Sequence, residues 1–309
     1  MKNESLYTNK IKNIRNSWIL LSVMGGFIIA VGYLLSYYLD SPGILVVAFL
    51  ASVVTSFGTY WFSDKYVLAT THTKLIDRSS NKKLYDIIDN VAIAAGIPTP
   101  KIGIIEDDAP NAFATGRDPN HSVVVFTTGL LHTLNDEEIK GVAAHEISHI
   151  INRDMLIGTI AVIFAGVISF IARIFSNVYS TGSRNSKNNN VISLIITLFL
   201  IFLAPIIATL LRMAISRKRE FLADTTGAYI IGNPENLASA LEKISSYSRP
   251  MRSASESTAH LFIANPLDRD SSDAHSKKFL GKLGEIFSTH PPIEERIARL
   301  RGMDKYGDI

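Results

Sequence analysis

The sequence predicts an α+β protein that combines four transmembrane helices with a water-soluble domain assembled from two separate segments of the chain. Four windows of 18 to 24 residues carry no charged side chain, and a helix of about 20 residues crosses a hydrocarbon core of about 30 Å. The other 220 residues carry all 59 charges, about 27%, which is typical of a soluble domain. Between the second and third windows, short β-branched runs alternate with amphipathic helical patterns.

The four charge-free windows are predicted membrane spans. They are Asn16–Leu39, Ser41–Ser63, Met155–Ala172 and Asn188–Leu211. Buried core helices are the alternative, but four unbroken windows of bilayer length are unusual in one soluble domain. A signal peptide is the alternative for the first window, because basic residues precede it. That window is longer than the apolar region of a signal peptide, and a second window follows after Asp40 alone, so a hairpin is favoured.

The windows divide the chain into four parts, and the basic residues orient them. The parts are an N-terminal transmembrane hairpin (1–63), a soluble segment (64–154), a second hairpin (155–211) and a second soluble segment (212–309). Four basic residues precede the first window, and the turn at 40–43 has none. By the positive-inside rule, both termini and both soluble segments of this multi-pass protein lie on the cytoplasmic face of the cell (inner or plasma) membrane.

Composition excludes several other classes of protein. The chain has no cysteine, so neither a disulfide scaffold nor a thiolate metal site is possible. The net charge of +3 and the pI near 8.9 are too mild to indicate a nucleic-acid partner. The four charge-free windows make the lipid bilayer the first partner that the sequence predicts.

The first soluble segment reads as a small mixed domain. Asn81–Gly96 has apolar residues at helical spacing and ends at a glycine. Lys101–Ile105 and Ser122–Thr127 are predicted strands, and Asn111–Gly116 lies between them. Asn135–Asn152 is a predicted amphipathic helix with the spacing of a capping box at its start.

That last helix carries a histidine-glutamate motif. His145 and His149 stand four residues apart and project from one helical face, so two imidazoles can bind one ion. Glu146, beside the first histidine, is positioned to take a proton from a water activated by the metal. A chance occurrence is the alternative, but the pattern lies on a well-capped amphipathic helix and no cysteine competes as a ligand. We therefore predict one Zn²⁺ per chain.

A hydrolytic zinc site needs three protein ligands and one open position. Glu220 and Asp224 stand four residues apart just after the fourth window, where Glu220 can ligate the metal and Asp224 can accept a hydrogen bond from a ligand histidine. An exposed acidic pair near Lys218 and Arg219 is the alternative. Two membrane spans return Glu220 to the face that carries the histidines, which favours the metal site and places it close to the membrane surface.

The motifs together resemble the HtpX family of membrane-bound zinc metallopeptidases. The resemblance rests on HEISH (145–149), NAFATG (111–116), REFLAD (219–224), AHLFIANP (259–266) and HPPIEER (290–296), and it covers nearly the whole chain. It implies a gluzincin-like protease domain with His145, His149 and Glu220 as zinc ligands and Glu146 as general base, supported by the Asp224 carboxylate. It also implies endoproteolysis of membrane and misfolded proteins at the cytoplasmic side.

Two further candidates and one rival function stay open at this stage. Asn111 could hold a substrate backbone beside an edge strand, or be a turn residue after Pro110. His290 could stabilise a developing oxyanion, or make a structural bond at a helix start. The rival function is a membrane scaffold or transport-accessory protein with a structural zinc site. Substrate identity and oligomeric state do not follow from the sequence.

Overall fold

The computed structural model describes residues 6–38, 40–181, 216–247, 249–255, 258–266 and 291–303. The helices are α1 (Leu6–Tyr38), α2 (Pro42–Thr70), α3 (Lys82–Ala94), α4 (Thr128–Thr133), α5 (Asp136–Asn152), α6 (Met155–Thr181), α7 (Arg217–Ile231), α8 (Pro234–Ser245) and α9 (Ile293–Arg301), and the strands are β1 (Lys74–Ile76), β2 (Lys101–Ile105), β3 (Ala112–Asp118) and β4 (His121–Thr127). A single 3-10 turn, Ala259–Leu261, stands between α8 and α9 in the described residues.

The first two helices form an antiparallel hairpin. The stretches Thr8–Tyr37 and Pro42–Thr70 are each long and apolar enough to cross a membrane. Small residues let the helices approach closely, since a Cβ on Gly32 would lie 2.0 Å from the Cβ of Ala48. These helices contain the first two predicted windows up to Tyr38 and from Pro42 on, and α2 continues beyond the second window to Thr70.

A sharp corner separates α5 from α6. The two helices bend by 83° at a short break, where Arg153 has a left-handed backbone with φ of 58°. If this bent pair were one broken span, it would be a third crossing. The third predicted window, Met155–Ala172, falls on α6, whose first half packs against α1 in a shared apolar cluster. The fourth, Asn188–Leu211, lies outside the described residues, so four spans remain a prediction.

The soluble part contains a four-stranded mixed sheet. Its order is β1-β2-β4-β3, with β2 and β4 parallel and the other two pairs antiparallel. The predicted strands coincide with β2 and β4. The NAFATG segment contributes to β3, which is an edge strand of this sheet. Its apolar residues are buried against β4 and the helices, and this burial favours the strand. β1 has three residues and an exposed pattern, which explains why no strand is predicted there.

Helix α5 runs through the centre of the soluble core. The predicted apolar stripe is buried and consists of Ile139, Val142, Ala143, Ile147 and Ile150. The predicted capping box is confirmed: the Asn135 side chain accepts from the Glu138 N–H at 3.0 Å, and Glu138 accepts from the Asn135 N–H at 2.8 Å. The same core contains residues of α3, α8 and α9. The motif helix is therefore held on several sides.

Candidate metal centre

Two histidines of α5 converge on one point. His145 and His149 are one turn apart, and their Nε2 atoms lie 3.2 Å from each other. The rings are perpendicular at 88°, with centroids 4.7 Å apart. His145 is fully buried and His149 is partly exposed. Their shared helical face therefore aims two ring nitrogens at the same small volume.

A carboxylate from the second soluble segment meets the histidines. The Glu220 oxygens lie 3.8 Å from Nε2 of His145 and 3.8 Å from Nε2 of His149. One ligand atom from each of the three residues lies within 4.8 Å of the others, which is the spacing of a group that could hold a metal ion. Close approach of α7 to α5 makes this possible, since a Cβ on Gly227 would lie 3.0 Å from the backbone nitrogen of His145.

Each histidine is oriented by an acidic residue at its other ring nitrogen. Asp224 Oδ1 lies 2.9 Å from His145 Nδ1, as the sequence predicts for Asp224. His149 Nδ1 donates to both oxygens of Asp154 at 3.0 Å, a partner that no sequence pattern indicates. With the proton held on Nδ1, each Nε2 presents a lone pair to the shared centre. Two lone pairs 3.2 Å apart require a proton or a metal ion between them, so the donor set fits a cation.

Arg296 is the buried residue that sequence reasoning misses. Its Nε and Nη2 donate to the two oxygens of Asp224 at 2.9 and 2.7 Å, and its Nη1 donates to the Ile263 carbonyl at 2.9 Å. The side chain is 0% exposed and lies 3.9 Å from a Glu220 oxygen. An arginine in a polar motif reads as a surface residue, and only the HPPIEER resemblance points to it. Its guanidinium links α9 to the acidic residues of α7.

The buried charges shift the pKa values of the site in different directions. Burial, together with the positive charge of Arg296, lowers the pKa of His145 to about 4. Burial also disfavours a charge on His149, but Asp154, Glu220 and Glu146 outweigh it and raise the pKa of His149 to about 10. Burial raises the pKa of Glu146 to about 8. Of the two histidines, His149 is therefore the one whose environment favours a positive charge.

The site opens into a small cavity of about 50 Å³. Glu146 lines it together with the ligand group, and the segment 260–263 forms another part of its wall. His260 belongs to this wall and bonds the Gly158 carbonyl at 3.1 Å, although its sequence neighbourhood offers no ligand spacing. The wall therefore comes from the AHLFIANP stretch, which lies against α6.

The two weaker candidates have different outcomes. Asn111 directly precedes β3 and is buried, and its amide bonds the chain itself, donating to the Ala264 carbonyl at 2.9 Å and accepting from the Ala264 N–H at 3.2 Å. The Ile263 N–H also donates to the Ala112 carbonyl at 2.9 Å. The Asn111 side chain thus bonds the chain's own backbone at residue 264, and its role toward a substrate stays a prediction. His290 lies outside the described residues.

A histidine pair and a glutamate from a separate segment, set against apolar helices, are typical of a membrane metallopeptidase. The family model described as "Peptidase family M48" matches residues 78–304. The chain therefore belongs to peptidase family M48, and the resemblance to the HtpX proteases is confirmed by its full-length relatives.

Relatives named "Protease HtpX homolog" match nearly the whole chain. The protein of Caldanaerobacter subterraneus subsp. tengcongensis is 43% identical over 98% of this chain and 99% of its own length. That of Thermoanaerobacter pseudethanolicus is 42% identical with the same coverage, and that of Thermococcus kodakarensis is 43% identical over 92% of this chain and 93% of its own. The crystal structure of S. mikatae Ste24p is 19% identical, with a TM-score of 0.48 over 95% of this chain and 67% of that chain.

Proposed function

We propose that the protein is an integral-membrane zinc endopeptidase that cleaves misfolded or damaged membrane proteins at the cytoplasmic side, in protein quality control. The observation that carries the proposal is the convergence of His145, His149 and Glu220 within 4.8 Å, beside the buried Glu146. Its chemistry is that of a hydrolytic site, because three ligands leave one coordination position for water or substrate.

The donor set supports zinc. Two imidazole nitrogens and one carboxylate are common zinc ligands, and the chain has no cysteine to build a thiolate site. Asp154 and Asp224 orient the histidines, as carboxylates behind zinc-bound histidines do. When bound, zinc lowers the pKa of a water molecule and polarises a peptide carbonyl.

Glu146 acts as general base and then as general acid. Its carboxylate takes a proton from the attacking water and returns that proton to the leaving amine. Burial raises the pKa of Glu146 to about 8, and such a value suits a group that both accepts and donates a proton near neutrality. A cation on the neighbouring ligands favours the ionised form, which is the form that accepts the proton.

Membrane and unfolded proteins are the proposed substrates. The metal group lies at the end of α5 that leads into α6, next to the apolar helices. Basic residues precede the first charge-free window and are missing from the 40–43 turn, which supports a cytoplasmic site. Ala114 of the edge strand β3 lines the cavity, so an extended substrate is proposed to lie beside this strand, close to Asn111.

The proposal is tested by substituting the base and a ligand separately. Purified protein in detergent is assayed for bound zinc and for cleavage of unfolded casein. Glu146→Gln should keep zinc and lower cleavage by about 10²–10⁴-fold, because a general base is lost while the ligands remain. Glu220→Ala should lose zinc as well. Glu137→Gln, an exposed neighbour on the same helix, should behave as wild type.

Two results would contradict the assignment. Near-full activity of Glu146→Gln would remove it as the base, and unchanged zinc content in Glu220→Ala would remove Glu220 as a ligand. Zinc retained by both variants with no proteolysis by the wild type would favour the rival scaffold with a structural metal. His290→Ala tests the proposed oxyanion contact, which predicts a lower kcat with unchanged zinc content.

A further inference from the structure

A second cavity, of about 100 Å³, lies where α1, α2 and α6 meet β3 and the α5–α6 corner. Trp18 of α1, Tyr60 of α2 and Leu156 of α6 line it, together with Arg117 of β3 and Arg153 from the α5–α6 corner. We call it the arginine pocket. Trp18 and Tyr60 stack at 5.4 Å, and each stands a few residues inside a charge-free window. Stacked aromatic side chains at this position are typical of the membrane–water interface.

The two arginines have little to neutralise them. Arg153 Nε is buried and has no hydrogen-bond partner among the described residues. Arg117 lies over the Trp61 ring at 4.5 Å and donates to the Trp61 carbonyl at 3.3 Å. The Arg117 guanidinium is 3.5 Å from Asp118, but that carboxylate is shared with His121 at 2.9 Å. The pocket therefore carries a net positive charge in a poorly hydrated place, which favours an anion.

An apolar groove of about 590 Å³ adjoins the pocket. It runs between α1 and α2, and it shares Trp18, Leu21 and Tyr60 with the pocket. Along α1 it extends from Trp18 to Ile29, which at 1.5 Å per residue is about 16 Å. That length matches about half of a 30 Å hydrocarbon core, the depth of one leaflet.

We propose that the arginine pocket and the groove together bind one anionic phospholipid. The phosphate is bound by Arg117 and Arg153, and an acyl chain lies in the groove along α1. The two parts match the depths of the two ends of a lipid. The arginines are placed at the interface, where the headgroup would lie, and the groove runs toward the bilayer centre, where the acyl chain would lie. A charged head beside an apolar channel of one-leaflet length fits a lipid better than a soluble phosphate.

The position of Arg153 connects this lipid to the metal centre. Arg153 is the left-handed residue at the corner, and the next residue, Asp154, accepts from His149. A headgroup bound to Arg153 holds the corner in this conformation. We therefore expect the lipid to stabilise the fold as well as to bind.

The first test measures lipid selectivity by native mass spectrometry of the full chain in a zwitterionic detergent. Phosphatidylglycerol and phosphatidylcholine with dioleoyl chains are compared, and wild type should bind one phosphatidylglycerol more tightly. Arg117→Gln and Arg153→Gln should each reduce that preference by about fivefold. Lys101→Gln removes an equal charge on β2, two strands away from β3, and should have no effect.

Three outcomes would overturn the headgroup site. The first is an unchanged preference for phosphatidylglycerol in the variant that carries both Arg117→Gln and Arg153→Gln. The second is an equal loss of that preference in Lys101→Gln, and the third is full displacement of the lipid by inorganic phosphate. The last result would indicate a simple anion site without an acyl chain. None of these measurements depends on proteolysis, so they are independent of the proposed enzyme activity.

The second test fills the groove. Gly26 lines it and has open space where a Cβ would stand, so Gly26→Leu should weaken phosphatidylglycerol binding and lower the lipid-induced rise in Tm. Gly58→Leu is the matched control, because Gly58 also has open space but does not line the groove. If Gly26→Leu leaves lipid binding unchanged and impairs cleavage of a membrane-inserted substrate, the groove binds a transmembrane segment instead, and the lipid proposal is wrong.

Discussion

At the scale of single residues, Arg296 decides how firmly the acidic residues of the metal centre are held. A fully buried guanidinium is costly unless it is paired, and this one is satisfied by both oxygens of Asp224 and by a backbone carbonyl. Asp224 in turn faces His145 Nδ1. Arg296, Asp224 and His145 therefore form a chain that ends at a ligand nitrogen.

Arg296→Lys should weaken zinc binding. A lysine has a single ammonium group and cannot replace the bidentate contact, so Asp224 loses one of its fixed partners. Loss of such an outer partner typically costs about 10–100-fold in metal affinity, which a chelator competition assay measures. Arg299→Lys, on the same helix and half-exposed, is the control. An unchanged zinc Kd in Arg296→Lys would show that the histidine orientation is independent of this pair.

At the scale of elements, the contact between α5 and α7 brings Glu220 to the histidines. Gly227 is the point of closest approach, because its missing side chain leaves room for the backbone of residues 144–145. α7 has no pronounced apolar face of its own, so this approach cannot be recognised from periodicity.

Gly227→Val should separate the two helices. The added methyl groups would collide with backbone atoms of α5, and overpacking of this kind costs about 1–3 kcal/mol. We expect a lower Tm and weaker zinc retention in detergent. Tyr229→Val places the same β-branched residue on the exposed side of α7 and should change neither quantity. Normal zinc retention in Gly227→Val would contradict the role given to this approach.

Helices α5 and α8 are joined by Glu138, whose contribution should depend on pH. Burial opposes its ionisation, but Lys243 at 2.7 Å and Ser239 at 2.7 Å bond the carboxylate and hold its pKa below the ordinary value. A lowered folded-state pKa means that the stabilisation is present near neutrality and is lost as the pH falls through that pKa.

Glu138→Gln should therefore lower the Tm near pH 7, and this difference should be smaller at an acidic pH below the ordinary glutamate pKa of about 4.3. Thermal unfolding of both proteins at the two pH values measures this. Glu137→Gln changes a mostly exposed carboxylate one residue away whose partner on α8 is the neutral Asn236, so it should show a much smaller pH dependence. A Tm difference between wild type and Glu138→Gln that is equal at both pH values would refute the electrostatic explanation.

At the scale of the whole molecule, membrane topology is the feature on which the proposed cytoplasmic site depends. The turn between α1 and α2 must lie on one side of the bilayer, and the soluble segments that carry α5 and α7 on the other. The natural absence of cysteine makes this directly testable with single-cysteine variants.

Ser41→Cys and Ser80→Cys should be labelled from opposite sides. Ser41 lies in the turn between α1 and α2, and Ser80 is exposed before α3. In intact cells, a membrane-impermeant maleimide should modify Ser41→Cys and should reach Ser80→Cys after permeabilisation only. Unmodified wild type is the control for background labelling. The reverse pattern would place the metal centre outside the cytoplasm.

Sequence patterns predict what is local in this protein. The capping box of α5 and the shared face of His145 and His149 follow from helical periodicity, and the charge-free stretches of α1 and α2 follow from bilayer thickness. Asp154 and Arg296 are missed because nothing in their own neighbourhoods distinguishes them from surface charges. For NAFATG the sequence leaves an edge strand and a turn open, because its alanines and glycine lack the β-branched signature, and pairing with β4 decides for the strand.

The sequence by itself determined that this chain has membrane-length apolar helices and a helix that presents two imidazoles on one face, because both depend on spacing along the chain. The tertiary structure brought the predicted Glu220 and Asp224 to those imidazoles through a glycine contact, and it added Asp154 and Arg296, which lies 151 residues from His145. It also decided that two arginines, from a strand and a corner, share one pocket beside α1, α2 and α6. Such contacts depend on how helices and strands pack, and packing cannot be predicted from any one segment of the sequence.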